Sequence, residues 1–273
     1  MPYLLIKYLD FDAELAVKEE KSLPLFHVCS QDKLLESLNA GKIVERKECN
    51  VFKKNIIYTF YGASKYNSGN NFNNVSAGDN SACLILNIDH CINIHSIYPL
   101  DTGLASGTVA EARQYIIPWN TIQKKLNLGR QRSRINKLIL HCFETIEDYI
   151  DGTVVKNNNQ VKAKYIAPNT ISHINDLHNI IKDQSVGDKR RYFVEVLFEN
   201  EIELIPGLLI GTIASTNLLQ TSDYLSLLKK FRIEKNVLDN SLFYPSSLLA
   251  NGKIEEEITN ISITFSKKRL AHA

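Results

Sequence analysis

Three short stretches of this chain carry residue types that could do chemistry together: a histidine at a strand end, a tyrosine-rich strand after it, and a glutamate set deep in apolar sequence. His27 stands in Leu25-Phe26-His27-Val28-Cys29-Ser30, an apolar run that breaks straight into helical periodicity. A strand end that opens onto a helix N-terminus gathers unpaired backbone N–H groups and positive dipole, which suits a phosphate or a network of ribose hydroxyls. Tyr58, Tyr61 and Gly62 follow in Ile57-Tyr58-Thr59-Phe60-Tyr61-Gly62, with Tyr66 just beyond. Glu195 lies far downstream, flanked by Phe193, Val194, Val196 and Leu197. An ionised carboxylate inside a buried strand costs several kcal/mol, on the order of what one unpaired buried ion costs, unless it is partnered. Either Lys189, Arg190 or Arg191 pairs with Glu195, or the carboxylate points into a cleft.

The elements that must position these groups can be read from pattern. Ser30 is a good N-cap, Leu34, Leu35 and Leu38 recur at helical spacing, and Gly41 stands where a C-cap glycine belongs. Residues 56–61 read as a buried strand of β-branched and aromatic residues. Tyr58 and Tyr61 differ by three, so a regular strand cannot turn both to one side, and one of them is structural. An Asn-rich polar loop spans 67–74; strands follow at 82–88 and 92–97; Tyr98-Pro99-Leu100-Asp101-Thr102-Gly103 makes a rigid polar corner in which Asp101 reads as an Asx-turn residue. Val109, Ala112 and Ile116 share a helical face that Pro118 ends, and Ile135, Leu138, Ile139, Cys142 and Ile146 mark a longer helix. After a polar stretch at 151–168, Ile171, Ile174, Leu177 and Ile181 mark another helix. A strand over 192–198, a turn at Asn200, strands at 201–204 and 208–213, an amphipathic helix with Tyr224, Leu225, Leu228 and Phe231, and a late strand at 258–265 complete the chain. Strands interleaved irregularly with helices predict an α+β sheet domain. No repeat or boundary signal divides residues 1–273, so one domain is expected, with a helical insertion around 104–185 and a C-terminal extension over 220–273.

Charge and cysteine usage narrow the function. A formal net charge of +2, with both signs spread along the chain, argues against binding driven mainly by neutralising nucleic-acid phosphates. The five cysteines, Cys29, Cys49, Cys83, Cys91 and Cys142, are odd in number and form no Cys-x-x-Cys, so neither a zinc site nor a disulfide framework is indicated. His90 and His95 lack a third ligand at metal spacing, and no metal is assigned. The apolar run of residues 3–6 is too short for a signal peptide and no stretch approaches ~20 apolar residues, so a cytoplasmic protein without membrane insertion is expected.

Taken in order, Phe26-His27-Val28-Cys29-Ser30, the helix after it, and Tyr58-Thr59-Phe60-Tyr61-Gly62-Ala63-Ser64-Lys65-Tyr66 resemble the first half of the ADP-ribosyltransferase fold. Val194-Glu195-Val196, an Asn turn, Glu201-Ile202-Glu203-Leu204 and an apolar strand are similar to the glutamate-bearing strand and hairpin of its His-Tyr-Glu branch, the diphtheria-toxin and poly-ADP-ribose-polymerase type. The likeness covers roughly 25–66 and 190–213. It implies a split mixed sheet and NAD+ as substrate, with cleavage of the bond between nicotinamide and ribose. On this resemblance Glu195 is the catalytic carboxylate, facing an oxocarbenium-like transition state. His27, with Cys29 and Ser30 beside it, holds the adenosine-side ribose, and tyrosines from among Tyr58, Tyr61 and Tyr66, next to Gly62, stack on nicotinamide. A second ring on a helix after Gly62 favours Tyr66.

Two positions depart from the family pattern. Cys29 stands where Ser or Thr is usual, and Phe193 stands where arginine-modifying relatives carry Glu or Gln. The resemblance therefore does not point to arginine as the acceptor, and a protein or a nucleic acid is left open. The resemblance fits a toxin or defence effector. Its rivals are an NAD+ glycohydrolase, in which water replaces the acceptor, and a binding module for NAD+, ADP-ribose or protein that has lost the chemistry. Arg130, Arg132 and Arg134 read as a solvated helix start, with a phosphate of the cofactor or a nucleic-acid acceptor as the alternative.

Overall fold

Ten residues after His27's strand show how directly this sequence dictates local structure. Strand β1 (Leu25–Ser30) gives way to helix α1 (Gln31–Ala40) because Ser30, in extended conformation, accepts the N–H of Lys33 at its hydroxyl, 3.3 Å away. Leu34 and Leu38 go to the core, and Gly41, at φ 71°, closes the helix in the left-handed region. The computed structural model describes residues 22–44, 48–49, 52–64, 81–102, 128–130, 132–143, 145–153, 193–233, 242–245 and 253–272. Tyr66, the Asn-rich loop, the helices expected near 109–116 and 171–181, and Lys189, Arg190 and Arg191 lie outside them.

The chain continues through β2 (Lys42–Val44), β3 (Ile56–Tyr61), β4 (Ser81–Leu86) and β5 (Ile94–Tyr98). β4 stops two residues short of the strand expected there, because the side chain of Asn87 accepts the N–H of Asp89 and starts a 3-10 turn at Ile88–His90. The single long helix expected around 135–146 is two, α2 (Ser133–Phe143) and α3 (Ile146–Asp151). Thr145 separates them: its extended backbone interrupts the helix and its Oγ1 caps the next one through the N–H of Asp148, 3.0 Å away. The chain then runs through β6 (Glu195–Glu199), β7 (Glu201–Glu203), β8 (Leu209–Ser215), α4 (Thr216–Leu219), α5 (Ser222–Lys230), β9 (Phe243–Tyr244) and α6 (Lys253–His272).

Two compact units divide the chain, His95–Val196 with the first twenty residues in one, and Lys21–Ile94 with Leu197–Ala273 in the other. In the second, β6 (from Leu197 on), β3, β1, β4, β8 and β9 stand side by side in that order. β1 pairs antiparallel with β3 (Leu25 opposite Tyr61) and with β4 (His27 opposite Leu84), β4 pairs antiparallel with β8, and β9 runs parallel to β8. In the first unit β5 lies beside the start of β6. The described residues thus mix helix with a mostly antiparallel sheet, as an α+β architecture requires. The Asn200 turn, at φ 71°, does not fold β7 back onto β6: β7 pairs with β2, with Ile202 opposite Ile43 and an ion pair of 2.9 Å between Lys42 and Glu201.

The late strand expected at 258–265 is instead part of α6. Its buried positions, Ile258, Thr259, Ile261, Ser262 and Ser266, fall at helical spacing, and the ring of Phe265 meets that of Phe26 edge-on at 6.5 Å. Three of these five buried positions are hydroxyl residues, so the apolar residues alone show a false alternation. Among the described residues no helix is long and apolar enough to cross a membrane.

Candidate functional site

In the second unit, register decides which way each candidate side chain points. Paired residues of neighbouring strands share a face, so His27 goes with Leu25, Tyr61 and Leu84, and alternation sends Tyr58 to the other side. His27 Nδ1 lies 2.9 Å from the carbonyl oxygen of Tyr58. A carbonyl only accepts, so Nδ1 donates, and in the neutral ring Nε2 is the acceptor. The imidazole is thereby fixed in orientation and tautomer by the backbone of the next strand.

Tyr61 is a core residue, 2% exposed, and its hydroxyl accepts the N–H of Leu23, 2.9 Å away, at the entrance to β1. Tyr58 is half-buried; its ring meets Phe52 at 6.3 Å and its hydroxyl bonds the thiol of Cys49. Of the two, Tyr61 is the structural one. The Gly62 N–H extends the β1–β3 ladder to Pro24 O, and its carbonyl accepts from Ser266 Oγ at 2.6 Å. At φ 79° this turn suits glycine. Ser30 spends its hydroxyl on the α1 cap. Burial pushes the Cys29 thiol up to about 12, against a smaller opposing pull from Lys33, so it is a neutral thiol at physiological pH.

In the first unit, Glu195 opens β6 and is 1% exposed. Its Oε2 accepts twice from one residue, from the Thr102 N–H at 3.1 Å and from the Thr102 hydroxyl at 2.7 Å. Such bonds to a charged acceptor are stronger than neutral ones and offset part of the cost of burying the carboxylate. The approach to Glu195 is anchored too. The Val194 N–H donates to the Tyr149 hydroxyl at 3.0 Å, and Tyr149 packs between Phe143 and Phe193, ring centroids 5.3 and 5.6 Å away.

Thr102 is the site residue that pattern reading passes over. It lies 93 positions from Glu195, and no local spacing links the two. Its neighbour Asp101, read as an Asx-turn residue, is itself buried. Arg130 Nε and Arg134 Nη1 donate to the backbone carbonyls of His95 and Leu128, at 3.2 and 2.9 Å, so both tie down main chain. Among the described residues, no three His, Cys, Asp or Glu side chains gather where a metal ion could be held.

No protein-family model matches the chain, and neither a curated protein nor a solved structure matches it.

Proposed function

We propose that the chain is an NAD+-dependent ADP-ribosyltransferase with an ADP-ribosyltransferase-like split sheet, and that Glu195 is its catalytic carboxylate. The observation that supports this reading is strand order within the second unit: β1 with His27, β3 with Tyr58 and Tyr61, and β6 from Leu197 on are successive neighbours, β1–β3–β6. The histidine and tyrosine segments, some thirty residues apart in sequence, are paired strands of one sheet, Leu25 opposite Tyr61. A fixed imidazole with Nε2 as acceptor has the polarity that a ribose hydroxyl needs. Tyr61 is committed to the core and Tyr58 lies on the face opposite His27, so the nicotinamide ring falls to Tyr66.

In the reaction, the bond between the nicotinamide nitrogen and the ribose C1′ breaks and its electron pair leaves with neutral nicotinamide. An acceptor nucleophile forms the new bond to C1′ and loses its proton to solvent. Positive charge builds on the ribose between these events, and a carboxylate in a low-dielectric setting stabilises it far more than one in water. At 1% exposure Glu195 meets a ribose only once its surroundings open on binding.

Adenylate-labelled NAD+ incubated with the protein and a cell lysate tests this. Label should pass to a macromolecule, and Glu195→Gln should lower the rate by roughly 100-fold or more. Release of free ADP-ribose alone makes the protein a glycohydrolase, and no NAD+ consumption by wild type ends the reading.

A further inference from the structure

The geometry points to Thr102 as the positioning residue of Glu195: a threonine 93 positions away that sets the aim of the carboxylate. The inference rests on the reading of Glu195 as the catalytic group. A glutamate has three rotatable side-chain bonds, and its charge helps a transition state only from one place and angle. Two donors from one residue, N–H and O–H, converge on the single oxygen Oε2 at 3.1 and 2.7 Å. A backbone and a side-chain donor rooted in one residue cannot move independently, so they fix that oxygen as a unit. Thr102 itself is fully buried, at 0% exposure, which removes water as a competitor for either bond. From the other side, Val194 is held to Tyr149, so the backbone that carries Glu195 is anchored as well.

Three substitutions test it. Thr102→Val keeps the shape and removes only the hydroxyl donor. It should lower kcat by roughly 10- to 100-fold while KM for NAD+ stays within about two-fold, the signature of a contact that matters in the transition state. Thr102→Ser keeps the donor and should restore kcat to within about three-fold of wild type. If Thr102→Val does not fold, Thr102→Cys keeps the volume with a weaker donor and should give an intermediate kcat at unchanged KM. A purely structural threonine would instead lower Tm and leave kcat per folded molecule intact, and that outcome overturns the inference. So does equal loss of kcat in the Ser and Val variants. The two readings fail separately: if wild type turns over NAD+ and Glu195→Gln does not, unchanged kcat in Thr102→Val refutes the positioning role alone.

Discussion

Two tyrosines three positions apart on β3 meet different fates, and alternation explains why. Tyr61 shares a face with Leu25 and the core; Tyr58 projects from the opposite side, where Phe52 and Cys49 contact it. The Tyr61 hydroxyl is the partner of the Leu23 N–H, and Leu23 is buried. Removing that oxygen strands a donor away from water, which costs about 1–3 kcal/mol. Tyr61→Phe should therefore lower unfolding free energy in urea by that amount and leave KM for NAD+ unchanged. A rise in KM with stability intact would return Tyr61 to the site. The same logic separates Cys29 from a reactive cysteine. A thiol held up to about 12 by burial offers almost no thiolate at neutral pH, and Lys33 is too weak a counterweight to change that.

At the scale of elements, α6 matters most to the strand that carries Tyr58 and Tyr61. Thr259, Ser262 and Ser266 line one side of it and bond the main chain just after β3: Thr259 Oγ1 to Ser64 O, Ser64 N to Ser262 Oγ, and Ser266 Oγ to Gly62 O, at 2.8, 2.8 and 2.6 Å. Ser262→Ala orphans a buried N–H and should cost about 1–3 kcal/mol by urea unfolding. The control Asn260→Ala, on the exposed side of the same helix, should stay within about 0.5 kcal/mol. Equal effects would mean that the hydroxyl row is incidental. This helix also shows where pattern reading stops. α1 was legible because its cap, its leucines and its glycine all speak locally, and β3 because its residues are all β-branched or aromatic. α6 was not, because its core-facing positions are hydroxyls whose partners, Gly62 and Ser64, lie some 200 residues earlier, at separations of 195, 198 and 204. Thr102 escaped for the same reason, since its partner is set by tertiary pairing and not by spacing. The pairing of β7 with β2 was likewise invisible, because Asn200 signals a turn without saying which strand the chain will meet next.

For the molecule as a whole, four weak acids of the second unit, the half-buried Cys29 and the buried Cys83, Tyr224 and Tyr244, predict how stability responds to alkali. Desolvation is the main cause in each case. It lifts Cys29 from 9.0 to about 12, Cys83 well above 9.0, and Tyr224 and Tyr244 from 10.0 to about 12. For the tyrosines, hydrogen bonds from Thr212 and Gln31 offset part of the rise. The folded chain therefore keeps protons that the unfolded chain gives up, and the slope of unfolding free energy with pH is negative above the unfolded values. Stability from these groups is fully present below pH 9, begins to fall near the cysteine value of 9.0, steepens past the tyrosine value of 10.0, and goes on falling towards about 12. Surface pairs such as Lys42 with Glu201 are screened by salt, whereas desolvation of a buried thiol is not. Urea unfolding from pH 7 to pH 11 should thus show a loss that persists in molar salt. Cys29→Ala combined with Cys83→Ala should move its onset from about pH 9 to about pH 10, the ordinary values of cysteine and tyrosine. An onset that stays put in the double variant, or that disappears with salt, would place the alkaline loss at the surface and not in the sheet that carries His27.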